Sequence, residues 1–201
     1  MNRNTLATLL GLAVLAAPSV QAANSPLSYT YVEGRLIHAQ TDAFGTSDIT
    51  VNGNGAGLNG SVAFGDTGLF ATAAFDTVEI GDTDVDLDRA ALGLGYAWAI
   101  DESLHLVLDA KALRLRGSDN TGSVTENGYQ ATVGLRSLLS DDLEGTIKAG
   151  VIKVDDDVLF YDGAIVELGA RWHLDAAWSV GLDGAFTKDD RNAALSLRLQ
   201  W

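Results

Sequence analysis

The chain has 201 residues and carries 13 lysines and arginines against 27 aspartates and glutamates, a formal net charge of −14. Phosphate backbones are bound by clustered cations, so this balance argues against nucleic acid as a partner. The absence of cysteine excludes a disulfide framework and a thiolate metal site, and 22 glycines beside two prolines suit a sheet protein with tight turns.

At the start of the chain Arg3 precedes an apolar run from Leu6 to Ala17, followed by Pro18 and the small-residue site Val20, Gln21, Ala22. This is the layout of a secretory signal cut after Ala22. The run is shorter than the roughly 20 apolar residues that cross a bilayer as a helix, and no later stretch is uniformly apolar. The expected organisation is a signal peptide over 1–22 and one exported domain over 23–201. Of the charged residues, the signal removes only Arg3.

Ten segments then alternate apolar and polar residues: 28–39, 56–64, 69–79, 88–99, 103–115, 127–138, 143–153, 163–173, 178–187 and 192–201. A strand turns successive side chains to opposite faces, so this pattern gives one continuous apolar face and one polar face. In the first segment Tyr29 and Tyr31 share a face with Glu33 and Arg35, which leaves its register the least defined. The clearest apolar sets are Ala90, Leu92, Leu94, Tyr96 and Trp98; Leu104, Leu106, Leu108 and Ala110; Ala164, Val166, Leu168, Ala170 and Trp172; and Trp178, Val180, Leu182, Gly184 and Phe186. The last segment presents Leu195, Leu197, Leu199 and Trp201. Most segments have the 9 to 11 or so residues that a tilted strand needs to cross hydrocarbon. The pattern predicts an all-β fold, a transmembrane antiparallel up-and-down β-barrel of ten strands, or of eight if two weak segments such as the first two are mispaired. A soluble β-sandwich would instead bury its tryptophans in a core.

The expected connections alternate in length. Residues 65–68, 100–102, 139–142 and 174–177 form tight turns, and 40–55, 80–87, 116–126 and 154–162 form longer loops. Barrels of the outer membrane have short periplasmic turns and longer outside loops, which puts both termini on the periplasmic side. All four tryptophans, Trp98, Trp172, Trp178 and Trp201, fall on the apolar face beside a short turn or at the C-terminus. That is the expected place of a membrane-interface girdle. Phe75, Tyr129 and Phe186 approach the opposite rim.

The same register turns Glu33, Asp76, Asp109, Glu144, Glu167 and Asp183 inward with Arg35, Arg89, Lys111, Arg136, Lys148, Arg171 and Arg198. Charges removed from water are costly unless paired, so this near balance predicts a lumen crossed by ion pairs. Inward glycines, among them Gly93, Gly95, Gly134, Gly150, Gly169 and Gly181, are expected to leave room for water. Asp82, Asp84, Asp86 and Asp88 are placed in one loop, and Asp155, Asp156 and Asp157 begin another. Solvated loop charge is the first reading of both runs, and divalent cation binding shared with lipopolysaccharide phosphates is the other. The first run departs from the EF-hand pattern at Leu87 and Gly93.

For catalysis the candidate is His38, near the outer end of the first strand, with Asp42 and Ser47 close in sequence. No G-x-S-x-G or H-E-x-x-H motif accompanies it, and no catalytic, cofactor or metal site is assigned. The segments Leu27 to Gly34, Gly57 to Ala63 and Leu195 to Trp201 resemble the small outer-membrane β-barrel proteins of xanthomonad-type bacteria once proposed as a sulfated quorum-sensing factor, and more loosely OmpA-like membrane domains. The resemblance implies an outer-membrane protein and brings no catalytic residues. The terminal aromatic also resembles the signal read by barrel assembly machinery.

The sequence therefore predicts a monomeric barrel in the outer membrane of a Gram-negative bacterium. Its expected role is structural or surface-interacting, in contact with outer-membrane lipid and lipopolysaccharide. A narrow porin-like solute channel and an outer-rim hydrolase or acyltransferase are the alternatives.

Overall fold

A computed structural model describes residues 27–42, 50–81, 85–155 and 162–201, with only the backbone of residues 41, 42 and 50. The expected signal peptide lies outside this range. Ten strands run in chain order: β1 Tyr31–Asp42, β2 Thr50–Ala63, β3 Leu69–Ile80, β4 Val85–Ala99, β5 Leu104–Ser118, β6 Ser123–Leu138, β7 Leu143–Val154, β8 Gly163–His173, β9 Trp178–Phe186 and β10 Asp190–Gln200. Each pairs antiparallel with its chain neighbours, and β1 pairs with β10 to close the barrel. The ten-strand reading holds, and the eight-strand and sandwich alternatives fall, because a single sheet closes on itself.

Register fixes which face each residue occupies, since a slip of one residue would carry a whole set to the other side. Glu33 stands opposite Arg198, Asp76 opposite Arg89, Lys148 opposite Glu167 and Glu144 opposite Arg171. These pairings turn the charges into the lumen and the leucines out. Leu36 is 65% exposed, Leu92 69% and Leu195 59%, an arrangement suited to hydrocarbon. The nine residues of β4 from Ala90 to Trp98, five of them outward, cover roughly 20 Å at about 3.3 Å rise and a tilt near 40°, close to the height of an outer-membrane apolar band.

The strand ends differ from expectation at the upper rim. β2 begins at Thr50, β4 at Val85 and β6 at Ser123, and β5 continues to Ser118. The connections there shrink to 43–49, 81–84, 119–122, 155–162 and 187–189. Backbone ladders close whatever the side chains are, so the hairpins continue past the apolar belt, where lipid no longer demands alternation. The outward positions above the belt are accordingly polar: His38, Asn52, Asn54, Thr77, Glu79, Asp86, Asp88, Arg114, Arg116, Thr125, Asn127 and Lys153. Asp86 and Asp88 thus belong to β4 and not to a loop, whereas Asp82, Asp84, Asp156 and Asp157 lie outside the described residues.

At the opposite end the turns are closed by aspartates. Asp101 Oδ1 accepts from Ser103 N (2.8 Å) and Oγ (2.9 Å), and Asp175 Oδ1 accepts from Trp178 N (2.7 Å) and Ala177 N (2.8 Å). These N–H donors hold the Asp175 carboxyl below its ordinary pKa, Trp178 contributing most.

Candidate functional site

The short-turn mouth of the lumen is occupied by the chain itself. Residues 27–30 precede β1 instead of forming its first turn of strand, a correction to the 28–39 segment. Tyr29 inserts among inward residues, stacked on Phe70 with ring centroids 4.9 Å apart and on His105 at 5.7 Å. Its hydroxyl and His105 Nδ1 share a hydrogen bond of 3.1 Å, and the Arg136 guanidinium lies 4.6 Å above its ring. Arg136 Nη1 also donates to Ser28 O at 2.9 Å, and Ser61 Oγ to Tyr29 O at 2.7 Å. Leu27 is buried. Arg136 in turn grips Glu144 through Nε (2.7 Å) and Nη2 (2.9 Å), with His173 Nε2 3.3 Å from the same carboxylate.

Three further charge clusters cross the middle of the barrel. Glu33 Oε2 receives Arg171 Nη2 at 2.6 Å and Arg198 Nε at 2.9 Å, and Arg198 rests on the Tyr31 ring, 3.6 Å from its centroid. Asp183 completes this group, 3.7 Å from Arg171 and hydrogen-bonded to Ser196 at 3.0 Å. Across β1, β3 and β4 Asp76 takes Arg35 (3.3 Å) and Arg89 (2.7 Å). Between β5 and β8, Lys111 and Lys148 each contact both Asp109 and Glu167, with Gln130 Nε2 donating to Glu167 at 2.6 Å. All thirteen residues singled out from the sequence face inward, and each takes part in an ion pair.

Two features of the lumen depart from expectation. At several of the inward glycines the space is taken by side chains and not left for water, whereas Gly169 lines the cavity. A Cβ on Gly95 would strike the Phe70 ring, one on Gly93 the Lys111 stem, and one on Gly181 the Arg171 guanidinium. The upper lumen, moreover, carries an apolar layer. Ala91, Leu113, Ile152 and Ile165 form a buried cluster there, beside Ile37, Leu115 and Val154. β5 carries the signal for this layer: its outward set is Leu104, Leu106 and Leu108 below, but above the belt the leucines, Leu113 and Leu115, turn inward. Glu126, also inward and buried, was missed in the sequence.

A cavity of about 250 Å³ threads these layers from Tyr29 to Asp190 and Asn192. Asp183 lines it with 34% of its side chain exposed. His38 faces outward instead, hydrogen-bonded to Asn54 Oδ1 at 2.9 Å, while Ser47 lies outside the described residues. Among the described residues no cluster of three or more histidines and carboxylates could hold a metal ion.

No protein-family model matches the sequence, and no curated protein matches it either. Solved structures do match in shape. The NanC porin superposes with a TM-score of 0.55 at 8% identity, covering 85% of this chain and 100% of its own. The fold is that of an outer-membrane barrel. The KdgM porin (TM-score 0.48, 12% identity, 84% of this chain and 99% of that one) and the Neisserial surface protein A (0.47, 14%, 87% and 98%) are also similar. Within this outer-membrane barrel Trp98, Trp172 and Trp178 lie on the lipid-facing side beside the short turns. Trp201 continues the outward phase of β10, its N–H donating to Thr30 O at 3.2 Å.

Proposed function

We propose that this barrel has a structural or surface-interaction role in the outer membrane, with a lumen that does not conduct. The observation carrying this reading is the narrowing of the lumen at two levels: the Tyr29, His105 and Arg136 assembly at the periplasmic mouth, and the apolar layer of Leu113, Ile152 and Ile165 above the ion pairs. A narrow apolar constriction dewets and opposes ion passage. The tryptophans form the periplasmic interface girdle in this reading, the protein acts as a monomer, and its upper rim contacts lipopolysaccharide. Divalent cations at the acidic rim and recognition of the C-terminus by barrel assembly machinery belong to the same proposal.

A narrow solute channel is the second reading, favoured by the cavity that passes Asp183 and reaches Asn192. Planar bilayers decide between them. The refolded protein is expected to give no discrete conductance steps. Regular steps at a defined unitary level would replace the structural reading with the channel.

A further inference from the structure

The seven lumen cations are all committed to carboxylates. Apart from Arg3, the remaining cations of the chain are Arg114, Arg116, Lys153, Lys188 and Arg191. All five stand at the long-loop end. The four turns of the other end carry Asp66, Asp101, Glu102, Asp141, Asp142 and Asp175 and no cation. A strongly acidic protein thus keeps the cations of the barrel that lie outside the lumen at one end.

Two of the five are placed for a specific task. Lys153 is paired with Asp162 at 2.6 Å and Lys188 approaches Asp189 at 3.8 Å. Arg114 and Arg116 are exposed and make no ion pair or side-chain hydrogen bond among the described residues. Both point outward from β5, at the first two lipid-facing positions above Ala112 and the exposed ring of Tyr129. Their register partners on β6 are Asn127 and Thr125, also exposed, which add a carboxamide and a hydroxyl on the same face. On the β4 side Arg114 meets Ala90, and Asp88 stands opposite Arg116, so an anion has its open approach from the β6 side.

We propose that Arg114 and Arg116, with Asn127 and Thr125, hold the phosphate of a phosphorylated lipid headgroup in the outer leaflet. Guanidinium forks match phosphate oxygens in bidentate fashion, and their apolar stems lie along the edge of the belt while the heads reach the headgroup layer. Position selects a lipid over a soluble anion, since both side chains leave the barrel toward the bilayer and not toward the lumen or the loops.

The inference rests on the outer-membrane reading, and its test separates the two. Folded protein in neutral detergent is titrated with bisphosphorylated lipid A, with the dephosphorylated lipid and with inorganic phosphate, and bound adducts are counted by native mass spectrometry. Wild type should retain the phosphorylated lipid preferentially, and R114Q/R116Q should bind it roughly 30-fold more weakly, at about one interfacial charge contribution per arginine. K188Q, at the same rim, should bind as wild type. Equal retention by wild type and R114Q/R116Q, or of both lipids by wild type, overturns the site. Displacement of the lipid by inorganic phosphate at equal concentration would show a soluble-phosphate site and overturn the lipid assignment. All variants should keep the gel shift between unheated and boiled samples. Its retention with failed lipid binding refutes this site alone, whereas its loss in wild type refutes the barrel in membranes.

Discussion

Glu33 accepts two guanidiniums on a single oxygen, and with side chains of Glu33 and Arg171 only 3% and 4% exposed neither charge has water to fall back on. Replacing Glu33 with Gln keeps the shape and removes the charge, which leaves Arg171 and Arg198 repelling one another across a buried gap. Breaking one partner of a buried pair costs about 3–5 kcal/mol, so Glu33→Gln is expected to lower unfolding stability by that order in urea titrations of detergent-folded protein. Lys188→Gln, from an exposed pair, should change it by about 0–1 kcal/mol. Equal stability of Glu33→Gln and wild type would mean a hydrated, screened lumen. Inward placement of these charges was legible in the sequence because period-two alternation assigns a face. Partnership was not. Arg171 and Glu167 sit on one strand four residues apart on the same face and look like natural partners, yet Arg171 reaches Glu33 on β1 and Glu167 takes Lys111 and Lys148. Which groups meet depends on interstrand register and on reach across the lumen, and neither is written in the local pattern.

At the scale of the elements, the turns of the short-turn end behave as small electrostatic caps. Asp175 accepts from two backbone N–H groups, and its folded pKa lies below the ordinary 3.8. A lowered folded pKa contributes stability above the unfolded value and loses it as pH falls through the folded one. The Trp178 and Ala177 amide signals in NMR of the detergent-folded protein should therefore titrate with a midpoint below 3.8 and lose that titration in Asp175→Asn. A midpoint at or above the ordinary value would show that the carboxylate does not hold the turn. Strand existence and phase were readable for β4 to β10, where lipid enforces apolar residues on one face. The upper ends were not, because above the belt polar residues serve a strand as well as a loop. That is why Asp86 read as part of a loop and Asp88 only as the first residue of its strand. The plug was hidden for another reason: Tyr29 keeps the inward phase of β1, so only the breadth of the barrel mouth decides that the chain bends inward there.

For the whole molecule, the closing seam between β1 and β10 decides whether a barrel exists, since an open seam leaves two unpaired edges in lipid. The ladder runs from Tyr31 opposite Gln200 to Thr41 opposite Asp190. Trp201 extends it by one contact, donating to Thr30 O at 3.2 Å, and Ser28 Oγ donates to the Trp201 carbonyl at 3.4 Å. The terminal residue therefore ties the seam to the segment that carries Tyr29, and its indole continues the outward aromatic row of the short-turn end, where an interfacial indole is favoured. Deleting Trp201 removes seam contact, plug contact and interface anchor together, whereas Trp178→Phe keeps an aromatic within an intact hairpin. In outer-membrane fractions the deletion is expected to reduce the protein that migrates differently unheated and boiled, far more than Trp178→Phe does. Equal amounts of heat-modifiable protein for both variants and wild type would mean that the ladder ending at Gln200 closes the barrel unaided, with Trp201 only one more member of the girdle.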